Sequence, residues 1–298
     1  KKGKITLRVM AKNRIYSIKI LPLFALLILT IGSCKINGEP NQTTSPKAQI
    51  FYPEVISSTT FSENSMSLTE EEDLVFLTRT TGWQYQSGHL SKKQNGTFGQ
   101  TEAVPQLDSI YNGAINPAGN KIIFCVKQNG QEAIYLLSKR DNEWMDVQSI
   151  TAEPDVFGGY LFWLTDEELY FYVSKNNGDV VYAKLQGRRL VVLDELTTLN
   201  TQEGTEFSPF VDKSKRYIIF TRYLEGAIDQ QGFFISFSLA TSEHPTWSTP
   251  QKLSFLPYGW NAYVSETEQL FLYSNGEDII AVPLDKFKFE IGKLSIDK

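Results

Sequence analysis

The chain has 298 residues, with 29 Lys or Arg against 34 Asp or Glu, a net charge of −5 with His neutral, 13% aromatic residues and two Cys. That composition favours a packed core over disorder and excludes a disulfide-stapled fold. The negative balance repels phosphate backbones, so nucleic-acid binding is not expected.

The amino-terminal stretch differs from the rest. Lys1, Lys2, Lys4, Arg8, Lys12, Arg14 and Lys19 form a basic region without acids. An apolar run from Ile20 to Ile31 follows, broken only by Pro22 and Thr30, and then Gly32-Ser33-Cys34. A basic region, a short apolar run and small residues before a cut make a secretory signal over residues 1–33. About a dozen apolar residues fall short of the ~20 that a spanning helix needs. Met10 is the expected start of translation, because the residues from Ala11 onward already make a complete signal. Removing residues 1–33 takes seven of the 29 basic residues and none of the acids, which leaves 22 against 34 and a charge of −12. Residues 34–47 are polar, with Gly, Pro, Asn, Gln, Thr and Ser, and read as a flexible tether.

From residue 48 the pattern is that of short strands. Ala48-Gln49-Ile50-Phe51-Tyr52 begins the folded part and is expected to supply an outer strand to the last repeat. The most legible copy of the repeat runs from Glu203 to Leu253. A loop, Glu203-Gly204-Thr205-Glu206, leads into the apolar run Phe207 to Val211. The charged turn Asp212-Lys213-Ser214-Lys215-Arg216 follows, then Tyr217-Ile218-Ile219-Phe220-Thr221 and Gly232-Phe233-Phe234-Ile235-Ser236-Phe237. Runs of about five residues, rich in aromatic and β-branched types and bounded by turn formers, mark strands rather than helices. Phe76, Phe124, Phe171, Phe220 and Phe271 occupy one position of the repeat at intervals of 47 to 51 residues. A period of ~45–50 built of short strands predicts a propeller. The expected fold is all-β: a single five-bladed β-propeller of four-stranded antiparallel blades over residues 48–298, with blades at about 61–105, 111–150, 157–199, 203–253 and 258–298. Phe287 to Ile296 is expected to add an outer strand to the last blade, and no segment shows sustained helical periodicity.

Two motifs carry resemblances. Ile115-Asn116-Pro117-Ala118-Gly119-Asn120-Lys121-Ile122-Ile123-Phe124 resembles the "FSPDGKKIYF" unit of the WD40-like (PD40) repeats of TolB-type propellers. Glu206-Phe207-Ser208-Pro209-Phe210 with Tyr217-Ile218-Ile219-Phe220, and Trp247-Ser248-Thr249-Pro250, resemble longer blades of that type in bacterial envelope lipoproteins. The likeness covers about 60 to 285 and implies the fold but no activity. Leu29-Thr30-Ile31-Gly32-Ser33-Cys34 resembles the bacterial lipobox, which implies cleavage before Cys34 and lipidation of its sulfur. A secretory signal with an incidental Cys is the alternative. The lipoprotein reading implies the bacterial cell envelope: the outer membrane facing the periplasm, with the cell surface as the other placement.

Chemistry-bearing residues are sparse. His89 and His244 have no partner at metal-ligand or triad spacing and read as surface loop residues. No Gly-x-Ser-x-Gly elbow is present. Cys125 reads as a small buried hydrophobe. No cofactor, metal site or catalytic residue is therefore expected, and the chain is read as not an enzyme. The acidic turns Glu70-Glu71-Glu72-Asp73 and Asp166-Glu167-Glu168 read as solvated turns facing away from the functional rim.

In an up-and-down blade the loop entering strand one and the loop from strand two to three share a face. Those loops carry Arg79, Trp83, Tyr111, Tyr160, Glu203, Glu206, Arg222, Tyr223, Trp260 and Asn261. Aromatics mixed with Arg, Asn and Glu suit a binding rim. The expected function is a monomeric, membrane-anchored, non-catalytic propeller that binds a protein or glycan partner in the envelope. The alternative is a glycan-active or peptidase-associated enzyme using a carboxylate pair at the channel mouth, with Glu203 and Glu206 as candidates.

Overall fold

The computed structural model describes residues 48–82, 86–128, 131–153, 158–174, 178–240 and 245–294. Among the described residues the regular structure is nearly all β, and the sheets are built of meanders in which each strand pairs with the next. The first is β2 (Ser62–Leu68), β3 (Leu74–Thr80), β4 (Gln86–Gln94) and β5 (Thr97–Phe98), with β6 (Glu102–Ala103) also on β4. The fourth repeat gives β15 (Thr205–Val211), β16 (Tyr217–Tyr223), β17 (Gly232–Phe237) and β18 (Gln251–Lys252).

The second and third repeats do not stay separate. They are β7 (Asn112–Ile115), β8 (Lys121–Gln128), β9 (Gln131–Arg140) and β10 (Glu143–Glu153), then β11 (Gly158–Trp163), β12 (Glu168–Val173), β13 (Asp179–Gln186) and β14 (Arg189–Asp194). β10 pairs with β9 as far as Ile150↔Ile134, and its next three residues pair in parallel with β14, from Thr151↔Arg189 to Glu153↔Val191. The two meanders thus form one eight-stranded sheet. Four hydrogen-bonded sheets replace the five separate ones expected, because the eleven-residue β10 outruns its own repeat and satisfies the free edge of β14.

The last sheet is closed by the start of the fold. β1 (Gln49–Ile50) pairs with β21 (Ile279–Pro283), which continues to β20 (Leu270–Ser274) and β19 (Trp260–Ser265). With that edge taken, the described part of the expected outer strand, Phe287 to Leu294, is not a strand. Instead Leu284–Ile291 forms the helix α1. Leu284 and Phe287, spaced i, i+3, are both fully buried, and the Phe287 ring stacks on Phe271 at 4.2 Å. The outer face carries Asp285, Lys286 and Lys288 together with the exposed Phe289, and Gly292 caps the end.

The repeat phenylalanines all lie in the core: Phe76, Phe171, Phe220 and Phe271 are 0% exposed and Phe124 3%. The five first strands β2, β7, β11, β15 and β19 contact one another in a closed ring. Four of them carry a register shift near their starts, at Glu63/Ser65, Gly159/Phe162, Phe207/Phe210 and Trp260/Tyr263. The bulge residues Tyr160, Ser208 and Asn261 have φ of 48°, 57° and 56°. Hydrogen bonds cross the repeats at these points: Asn261 N donates to Ser208 Oγ at 2.7 Å, and Met66 N to Asn261 Oδ1 at 2.5 Å.

Candidate functional site

Three of the expected rim charges, Arg79, Glu206 and Arg222, turn out to belong to two clamps. Glu63 on β2 faces Arg79 on β3, and Glu206 on β15 faces Arg222 on β16. Arg79 Nε donates to Glu63 Oε1 at 2.9 Å, and Arg222 Nε to Glu206 Oε1 at 2.5 Å. Each guanidinium also holds the preceding entry loop by a carbonyl 23 residues back: Arg79 that of Ile56 at 2.7 Å, Arg222 that of Leu199 at 2.9 Å. Each Glu accepts the loop amide five residues back, from Ser58 at 3.3 Å and Thr201 at 3.1 Å. The spacings are identical in the first and fourth repeats, and the pair is visible in the sequence as Glu and Arg 16 residues apart.

The clamps redraw the expected site. Arg79 is 5% exposed and Glu206 0%, so neither offers its charge to a partner. A buried charge is tolerated only when it is paired. Glu206 is also unsuited to form a catalytic pair with the exposed Glu203, since Arg222 engages its carboxylate. Asn261 is likewise structural, holding the bulge of β19 and receiving the Met66 amide. An Asn tolerates that left-handed backbone better than most residues. Trp260 donates from Nε1 to the Asn64 carbonyl at 2.7 Å, which ties the fifth repeat to the first. His89 corrects another expectation. It lies in β4 and is 8% exposed, with Nε2 2.8 Å from Ser87 Oγ. Burial and the nearby Arg79 push its imidazole down to about 4, so it is neutral at physiological pH. Trp83, His244 and Cys34 lie outside the described residues.

What remains at the entry-loop mouth is aromatic. Tyr160 packs against Phe207 at 4.8 Å and Tyr172 at 6.2 Å, and is hydrogen-bonded to Tyr111. Burial, then the Tyr111 hydroxyl, raise its phenol well above the usual tyrosine range. Tyr258 lies against Trp260 at 6.3 Å, and its phenol is raised by burial and by Tyr223. Tyr111, Tyr223 and Tyr258 are 41%, 43% and 41% exposed. Loops of the second, third, fourth and fifth repeats thus bring rings far apart in sequence to one mouth. Tyr258 was recognisable as an entry-loop aromatic, but only the fold shows it, with Tyr111 and Tyr223, exposed at the mouth among the described residues. A shallower hollow of about 410 Å³ lies nearby, where the ends of the fold meet, lined by Ser58, Thr60, Phe61, Glu54, Glu277 and Asp278.

No protein-family model matches this sequence, and no curated protein matches it. Solved structures do resemble the fold. TolB from Acinetobacter baumannii is 13% identical with a TM-score of 0.45, over 75% of this chain and 54% of its own. The chain therefore spans about half the length of that TolB. The periplasmic gluconolactonase PpgL of Pseudomonas aeruginosa is 11% identical with a TM-score of 0.46, over 75% of this chain and 82% of its own. A thermostable family-43 glycoside hydrolase is 12% identical with a TM-score of 0.47, over 76% and 91%. These are likenesses of fold alone. The expectation that the chain is not an enzyme is corrected by this comparison: similar propellers include lactonases and glycoside hydrolases, so a missing sequence motif does not exclude catalysis.

Proposed function

We propose that this chain is a five-bladed propeller of the bacterial envelope, anchored through lipid on Cys34, that docks a partner protein on the aromatic entry-loop rim. The count of five takes the eight-stranded sheet as two blades, and is supported by the closed ring of five first strands. The anchor rests on the basic, apolar and Gly-Ser-Cys order of the amino terminus.

The observation that carries the docking reading is the set of three tyrosines, Tyr111, Tyr223 and Tyr258, each about two-fifths exposed on one mouth. Tyr111 is hydrogen-bonded to Tyr160, which packs on Phe207; Tyr258 lies against Trp260; and Tyr223 directly follows the clamped Arg222. Rigid tyrosines lose little freedom on binding and are favoured as interface anchors. The test is photo-crosslinking in envelopes followed by co-purification, with the wild type and with Tyr223→Ala/Tyr258→Ala. Loss of a reproducible partner from a folded variant supports the reading. Retention of every partner overturns it. Arg222 and Trp260 are unsuitable probes, because their loss disturbs the loop rather than the surface.

A further inference from the structure

The opposite mouth of the ring holds a cavity of about 530 Å³, walled by the far ends of all five first strands and the turns that follow them. That volume suits a small organic ligand. Its charges are unevenly matched. Arg216 makes a two-pronged contact with Asp212 at 2.8 and 2.9 Å. Lys288 neutralises Glu266 at 2.9 Å. Glu72 and Asp166 have no cation on them among the described residues. The Glu72 carboxylate accepts the Ser265 hydroxyl, and Asp166 accepts Asn116 Nδ2 at 2.6 Å and the Ala118 amide at 3.1 Å. Glu72 is only 5% exposed, which corrects its reading as part of a solvated turn. A buried carboxylate without a cation is costly, and a cationic occupant of the cavity would relieve it.

Two further features specify the cation. Lys213 reaches from the fourth repeat to Glu70 of the first, with Nζ 3.6 Å from the carboxylate and 3.5 Å from the backbone carbonyl. The fifth repeat lies between those two in the ring, so this contact spans the mouth and places the chain's own alkyl ammonium at its entrance. Inside, Phe162, Phe210 and Tyr263 form a continuous aromatic wall, with ring centroids 5.2 and 5.5 Å apart. Such a wall accommodates an alkyl arm and attracts a cation to its ring faces.

We propose that this cavity binds an aliphatic amine, its ammonium drawn by the carboxylates of Glu72 and Asp166 that line it and its alkyl arm along the aromatic wall, with Lys213 displaced from the mouth as the ligand enters. A free diamine and a lysine side chain of a peptide present the same chemistry. The test is calorimetric titration of the detergent-solubilised full chain with cadaverine and, in parallel, with Nα-acetyl-lysine amide. Cadaverine is expected to bind. Glu72→Gln is expected to weaken it by about tenfold or more, the equivalent of ~1.4 kcal/mol. Lys213→Ala should tighten it several-fold by removing the internal competitor. If Glu72→Gln fails to fold, Asp166→Asn carries the same expectation. Binding of both ligands assigns a peptide lysine as a competent source, and binding of cadaverine alone assigns a free amine. Tyr223→Ala/Tyr258→Ala, at the other mouth, should leave the affinity unchanged, so this site and the docking rim stand or fall separately. Absence of cadaverine binding in both the wild type and Lys213→Ala overturns the proposal, as does an affinity indifferent to Glu72, Asp166 and Lys213.

Discussion

Arg222 holds the Glu206 carboxylate and the Leu199 carbonyl at once, and Arg79 does the same with Glu63 and Ile56. Removing one partner leaves the other charge buried and alone. Arg222→Ala should therefore cost roughly 3–5 kcal/mol in denaturant unfolding. Glu206→Ala/Arg222→Ala should cost less than the sum of the two single changes. Around Arg79 two titrations oppose each other. Burial, outweighing the pull of Arg79, pushes the Glu63 carboxyl up to about 7. An unfolded Glu ionises near ~4.3, so the folded chain binds the extra proton between those values and this contribution to stability falls as pH rises through them. His89 is pushed down to about 4 from ~6.5, so the unfolded chain binds the extra proton there and its contribution rises with pH over that window. Unfolding midpoints from pH 4.5 to 7 should thus tilt upward with pH in Glu63→Gln and downward in His89→Phe. Parallel slopes in both variants would contradict the opposition.

At the scale of elements, the recurring bulge of the first strands matters more than strand propensity. Asn261 sits at φ 56° with its side chain receiving the Met66 amide. A β-branched residue there meets strain of order 1–3 kcal/mol and loses the bond as well. Asn261→Val should lower the melting temperature clearly, whereas Asn261→Gly loses only the hydrogen bond and should fall between it and the wild type. Ring closure depends on a very short strand, β1, but the residue after it supplies the hold. Phe51 is 2% exposed and meets Tyr52 at 4.8 Å and Phe98 at 6.1 Å. Phe51→Ala should cost about 3–5 kcal/mol by cavity formation. Ile50, 44% exposed, should tolerate Ser with a change within about 0.5 kcal/mol. Denaturant melts of the two variants check this directly.

At the scale of the whole molecule, the two mouths of the ring differ in chemistry: tyrosines at one, carboxylates around a cavity at the other. Tyr223→Ala/Tyr258→Ala removes exposed rings only, so its unfolding midpoint should stay close to that of the wild type even if partner capture is lost. Cys34→Ala should move the protein out of the processed membrane fraction on cell fractionation. A processed, membrane-bound variant would place the anchor elsewhere.

The repeat was legible in the sequence because burial is periodic. Each sheet must cover the same faces, so Phe76, Phe124, Phe171, Phe220 and Phe271 recur at one spacing and all end in the core. The use of the first residues to close the last sheet was legible for the same reason, as Ile50-Phe51-Tyr52 is an apolar run with no partner nearby in the chain. The roles of individual polar residues were not, because pairing depends on neighbours distant in sequence. Arg222 looked like a surface anchor until Leu199 and Glu206 were seen around it. Glu72 looked like a solvated turn until the Ser265 hydroxyl, 193 residues away, was found on its carboxylate. The sequence by itself determined a ring of repeating β-meanders, since hydrophobic spacing is a local property of the chain. Only the tertiary structure decided which charges are spent on clamps, which rings stay exposed and where the cavity lies, since those depend on how separate repeats meet.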